Sequence, residues 1–139
     1  MKFEDFLKSG QAKKSARDAQ LAKSLIIAAE EDLLFLKELE VKGISARKIV
    51  SNYYDVLRSI LEAYSSLDGY KVYSHEAFTY YLKEKSEENS AQKFERFRKI
   101  RNSINYYGRQ ISVDEAEELI KEISELIEKI KSETIKKIK

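Results

Sequence analysis

The chain has 139 residues with no cysteine, no proline, one histidine and four glycines; 42% of it is hydrophobic, 36% is charged, and the net charge is +2. Those figures exclude disulfides, thiolate metal sites and a multi-histidine metal centre within one chain, and a charge so near balance excludes a global field for polyanions, leaving only local patches. The length fits one domain, residues 1–139 with a core from about 13 to 130, and the lack of helix breakers beside abundant Lys, Glu and Leu predicts an all-α fold. No run reaches the ~18 apolar residues of a membrane span, and Glu4 and Asp5 stand where a leader peptide would be apolar. A cytoplasmic protein with no membrane partner is therefore expected.

Met1 to Ala12 reads as a short amphipathic helical lead-in, with Phe3, Phe6 and Leu7 able to dock and Gly10 able to end it. From Lys13 a first long helix is expected, its inner face marked by Ala22, Leu25, Ile26, Ala29, Leu33, Leu36 and Leu39, with Gly43 as its stop. Ser45 is a plausible cap for a second helix, the most apolar, which runs through Ile49, Tyr53, Leu57, Ile60, Tyr64 and Leu67 to Asp68-Gly69. Ser74-His75-Glu76-Ala77 predicts a third start. The polar stretch from Glu84 to Ser90 interrupts that helix, and it resumes near Ala91 toward Gly108. Ser112, three residues before Glu115, has the spacing of a capping box, and a last helix follows with regular apolar positions and lysines at its end. Four main helices with short connections predict an up-and-down antiparallel four-helix bundle.

The stretch Arg98 to Gly108 gathers cations, amides and phenols. Ile100, Ile104 and Tyr107 recur at helical spacing and are expected to point inward. Arg101 and Asn105, four apart, stack one turn above the other, where together they could hold a phosphate or carboxylate. Lys93, Arg96, Arg98, Lys99, Arg101 and Arg109 cluster against Glu95 alone, a local patch suited to RNA or nucleotide phosphate; the bland alternative is a solvated helix face on a structural bundle without ligand. Glu30-Glu31-Asp32 fans around a helix and reads as surface charge. No cofactor and no metal are expected.

The order of three segments, Ser51-Asn52-Tyr53-Tyr54-Asp55-Val56-Leu57-Arg58-Ser59-Ile60-Leu61-Glu62-Ala63, then Gly69 to Ala77, then Arg101-Asn102 through Tyr106-Tyr107-Gly108, resembles the HEPN superfamily of small helical proteins over roughly Lys13 to Ile130. The resemblance implies a four-helix bundle, a homodimer, and pairing with a nucleotidyltransferase-type partner in toxin-antitoxin systems; many members are metal-independent ribonucleases. Those carry an Arg, a polar residue, and a His four to six positions after the Arg. Arg101 and Asn102 match the first two, but Asn105, Tyr106 and Tyr107 occupy the histidine positions. An amide cannot take or give the proton in RNA cleavage, and an unperturbed phenol is a poor base near neutral pH. The expected function is thus a dimeric binding module for nucleotide or RNA phosphate, with a degenerate ribonuclease as the alternative. The catalytic candidates are Arg101, Asn102, Asn105 and Tyr106, and the binding candidates Arg96, Arg98, Lys99 and Tyr107. His75 is read as a first-turn residue behind Ser74, with replacement of the missing histidine as the alternative.

Overall fold

A computed structural model describes residues 1–139. It is helical apart from one small sheet: α1 spans Phe3–Ser9, β1 Ala12–Lys14, α2 Ala19–Lys37, α3 Ala46–Leu67, β2 Tyr70–Val72, α4 His75–Glu84, α5 Glu88–Tyr107 and α6 Val113–Ile138. Fifteen residues of α3 are buried, which makes it the central element. Helices α2 and α6 pack along it most extensively, and α5 packs on both α3 and α4. None of the helices is long and apolar enough to cross a membrane.

Local chemistry sets most boundaries. Asp18 caps α2, its carboxylate accepting from the Leu21 amide at 2.9 Å, and Ser112 caps α6 by accepting from the Glu115 amide at 3.1 Å. Gly108 ends α5 in the left-handed conformation that glycine adopts without a Cβ penalty. The serine at the head of α3 behaves differently: Ser45 Oγ accepts from the Lys42 amide instead of capping the helix. Ser74 likewise occupies the N-cap position of α4 without making a side-chain cap.

Two expectations need correction. The first long helix does not begin at Lys13 or end near Gly43; it occupies Ala19–Lys37, and Ala12–Lys14 is instead an antiparallel strand whose partner is Tyr70–Val72. No local pattern announces this pairing, because each strand is only three residues long and its partner lies far away in sequence. The ladder continues past the strand ends through Tyr73 N–H to Gln11 O and Ser15 N–H to Gly69 O. Gly69, with φ of +82°, is required there: a Cβ would stand 2.9 Å from the Ser15 carbonyl oxygen. The second correction is Tyr107, which is 86% exposed; Ile104 alone of its expected inward set is fully buried and Ile100 is partly so.

Aromatic side chains join the layers of the core. Phe3 of α1 meets Tyr70 and Tyr81 edge-on, while Tyr54 of α3 stacks on Phe94 of α5, which meets Phe78 of α4 edge-on. At the other end of α3, Asp68 accepts hydrogen bonds from Tyr81, Lys85 and Lys137, tying α4 and the last turns of α6 to it. Lys137 also lies over the Tyr64 ring at 3.8 Å. Burial works to raise the Asp68 pKa, but the three hydrogen bonds outweigh it and hold the carboxyl below its ordinary value.

Candidate functional site

Arg101 leaves the middle of α5 and reaches α3. Its guanidinium lies over the Tyr54 ring, 5.6 Å from the centroid, and 3.6 Å from the Asp55 carboxylate. That ion pair is loose, and Arg101 Nε is buried with no hydrogen-bond partner. A buried N–H left unpaired is unusual and unfavourable. The Tyr54 hydroxyl shares a hydrogen bond of 3.0 Å with Nδ1 of His75, the first residue of α4. The fold thereby brings His75 beside Arg101 although the two lie on different helices.

Electrostatics around this pair follow from the same geometry. Burial, followed by the positive fields of Arg58, Arg101 and Arg98, pulls the His75 pKa down to about 4, so the imidazole is neutral near pH 7. Burial likewise pushes the Tyr54 phenol well above its ordinary value despite those guanidinium groups, and it keeps its proton. A protonated phenol and a neutral imidazole bonded to each other leave one N–H or O–H donor between them, and the guanidinium groups around them each have a carboxylate neighbour, Arg98 in Glu95, Arg101 in Asp55 and Arg58 in Glu62 at 3.9 Å. The arrangement suits an anion that also accepts hydrogen bonds.

A groove of about 310 Å³ opens next to this cluster between α2 and α3. Leu36 and Val56 lie buried at its base, with Asp32, Phe35, Asn52, Asp55 and Arg58 around them. Asp55 and Arg58 belong to both groove and cluster. Their spacing explains it: Asn52, Asp55, Val56 and Ser59 follow the three- and four-residue step of one helix face, and Asp32, Phe35 and Leu36 do the same on α2.

The remaining candidates are distributed less compactly. Asn105 is exposed and away from any hydrogen-bond partner, so it does not join Arg101 in a clamp. Asn102 is half-buried on the next position of α5. Tyr106 and Tyr107 project from the helix end, 72% and 86% exposed. The positive cluster read from the sequence is largely neutralised: Arg98 is held bidentately by Glu95, Arg96 by Glu122 of α6, Arg109 by Glu115 and Arg101 by Asp55. Lys93 and Lys99 are the members without a carboxylate partner. Glu95, pulled below the usual carboxylate range by its bonds from Arg98, also accepts from Thr79. Three of the four partners lie on other segments, which is why a reading along one helix sees cations where the fold places ion pairs. No three His, Cys, Asp or Glu side chains converge as metal ligands.

Tyr54, Asp55 and Arg58 are site residues that the sequence reading does not single out, and His75, read there as a first-turn residue behind Ser74 with replacement of the missing histidine as the alternative, is bonded to Tyr54. The signal was present in part, since all three lie in the α3 segment that carries the family resemblance. Comparison with protein-family models, curated proteins and solved structures finds no match to this chain.

Proposed function

We propose that this chain is a HEPN-like binding module, built on an up-and-down bundle of α2, α3, α5 and α6, that takes a phosphate group between Arg101 and Arg58 beside Tyr54 and His75. The observation that carries this reading is the Arg101 guanidinium, its Nε buried and unpartnered and its carboxylate neighbour at 3.6 Å. An arginine fixed for structural reasons would be expected to close its hydrogen bonds; Arg98 does so on Glu95. The paired cations along α5 favour a compact anion over a long nucleic-acid track. Titration calorimetry with tripolyphosphate, on the wild-type chain and on Arg101→Ala, tests the proposal. Binding that weakens at least tenfold in the variant supports it, and undetectable binding to the wild type refutes it.

The HEPN resemblance extends the proposal to a homodimer and to a nucleotidyltransferase-type partner. The two exposed tyrosines at the end of α5 support an interface there, because exposed aromatic side chains are common anchors of protein contacts. Sedimentation of the wild type beside a Tyr106→Ser, Tyr107→Ser double variant tests it; a wild-type monomer at high concentration would remove the pairing.

A second reading, metal-independent RNA cleavage, is favoured by one observation: His75 stands near Arg101 although the linear motif lacks its histidine. When Nδ1–H donates to Tyr54, Nε2 is left as a free acceptor, the position from which a general base would act. Cleavage of single-stranded RNA without divalent metal that is lost in both Arg101→Ala and His75→Ala would establish it. Equal cleavage by the variants would assign the activity to a contaminant.

A further inference from the structure

We infer that the outward face of α2 is a docking surface for one helix of a protein partner, an amphipathic helix that carries lysine or arginine within its apolar seam. It does not depend on phosphate binding at Arg101.

Helix α2 is apolar on two sides. Its inward face, with Ala22, Ile26, Ala29, Leu33 and Leu36, is buried, chiefly against α3. On the opposite side Ile27, Ala28, Glu31, Leu34, Phe35 and Glu38 follow the same three- and four-residue step, and all are exposed. Ile27, Leu34 and Phe35 are 58%, 66% and 59% exposed, whereas α3 exposes no large apolar side chain and α6 only Ile135. Apolar residues scattered singly over a surface need no explanation, but a second apolar stripe at helical spacing is the pattern of a helix covered on both sides.

The charges on the stripe decide what covers it. Glu31 and Glu38 stand one heptad apart in its middle, and Glu30 and Asp32 flank Glu31. None of these four carboxylates takes part in an ion pair of the chain, although Arg96, Arg98, Arg101 and Arg109 all do. A second copy fits poorly. The antiparallel pairing that sets apolar on apolar, Ile27 against Phe35 and Ala28 against Leu34, brings the two Glu31 carboxylates together at the axis, and the parallel pairing superposes both Glu31 and Glu38 on themselves; like charges so placed repel. An anionic lipid surface is repelled by the same carboxylates. A helix with cations one heptad apart in its seam pairs them with Glu31 and Glu38 while its apolar residues cover Ile27, Leu34 and Phe35. Beside Phe35, Asp32 lines the α2–α3 groove without a cation of its own, since Arg58 there faces Glu62 at 3.9 Å, and this recess can take an arginine side chain from the partner.

Fluorescence anisotropy with two labelled peptides tests the surface. Each peptide has about 21 residues, the helical length of α2 with its 19. Both carry leucine along one seam; one has lysine at two seam positions a heptad apart, the other glutamate. The lysine peptide should bind the wild-type chain about tenfold or more tighter than the glutamate peptide. A Leu34→Ser, Phe35→Ser double variant keeps every charge and alters only exposed positions, where folding is not at stake; it should weaken the lysine peptide about tenfold or more. Glu31→Lys should remove most of the preference for lysine over glutamate. Absence of binding by the lysine peptide, equal affinity for the two peptides, or an unaffected variant of either kind would overturn the inference, an unaffected double variant by reducing the binding to unspecific charge attraction. Sedimentation separates the other occupants: self-association of the wild type that the double variant abolishes would overturn it in favour of a second copy, and co-sedimentation with phosphatidylserine vesicles that the double variant abolishes would overturn it in favour of a membrane surface.

Discussion

Replacing Arg101 with Met asks whether this side chain holds the fold together or waits for a ligand. Met keeps a comparable unbranched length along the buried path and removes the charge. Three effects then compete. Eliminating the orphaned Nε relieves a desolvation penalty of about 1–3 kcal/mol. Losing the 3.6 Å contact to Asp55, a carboxylate 45% exposed, removes about 0–1 kcal/mol. Losing the cation over the Tyr54 ring removes about 0.5–1 kcal/mol. The sum runs from about 1 kcal/mol of loss to about 2.5 kcal/mol of gain, whereas breaking a well-made buried ion pair costs about 3–5 kcal/mol. Urea denaturation of both proteins, checked for equal slopes, measures the difference. Tripolyphosphate affinity should meanwhile fall about 10- to 150-fold, the equivalent of one charge-assisted hydrogen-bonding contact of about 1.5–3 kcal/mol. Destabilisation beyond about 3 kcal/mol would refute the reasoning, because it would make Arg101 a structural pillar.

Other perturbations probe separate parts of the molecule. His75 is held neutral, with a folded pKa near 4 against an ordinary 6.5, so the unfolded chain binds more protons between those values and stability falls as pH drops from about 6.5 to 4. His75→Gln should lack that slope; an identical slope in urea midpoints at pH 7 and pH 4.5 would show that the histidine does not generate it. Asp68→Asn should cost about 2–4 kcal/mol in urea denaturation at pH 7, since one carboxylate accepts from Tyr81, Lys85 and Lys137 together. Because the Asp68 pKa is depressed below 3.8, that contribution is present above about pH 4 and disappears as pH falls through the folded value. Gly69→Ala should destabilise by at least about 1 kcal/mol more than Gly108→Ala. Both have positive φ, but only the former drives a Cβ into a backbone oxygen. Equal midpoints for the two variants would mean that the β1–β2 junction yields freely.

Legibility in the sequence tracked the range of the interactions involved. Helices α3 and α6 were readable because Ile49, Leu57, Ile60 and Leu61, and Leu119, Ile123 and Ile127, keep their period over many turns, and because Asp68-Gly69 and Ser112 act on adjacent residues. The β1–β2 pair was not readable, since Ala12–Lys14 carries no alternation long enough to distinguish it from a helix start. The site divided in the same way. Arg101 stands out by its local company, but what surrounds it comes from α3 and α4, and Asn105 and Tyr106, close by along α5, are exposed. Tyr107 reads as inward because its spacing from Ile104 is helical; the buried face of α5 ends one turn earlier, at Ile104, just before Gly108 breaks the helix.

The β1–β2 ladder also bears on how the molecule opens. Helix α2 and helix α3 are sequence neighbours and can associate early with little loop-closure cost, whereas β1 must await a partner beyond both of them. The first fifteen residues form a latch: α1 and β1 are held by a three-residue ladder, the Ser15–Gly69 and Tyr73–Gln11 bonds, and the seating of Phe3 against Tyr70 and Tyr81 and of Phe6 against Tyr80. In native-state hydrogen exchange the amides of Ser15 and Tyr73 should therefore exchange together at a lower opening free energy than those of α3. Release of that segment would bare the faces of the Tyr70 and Tyr81 rings that Phe3 covers.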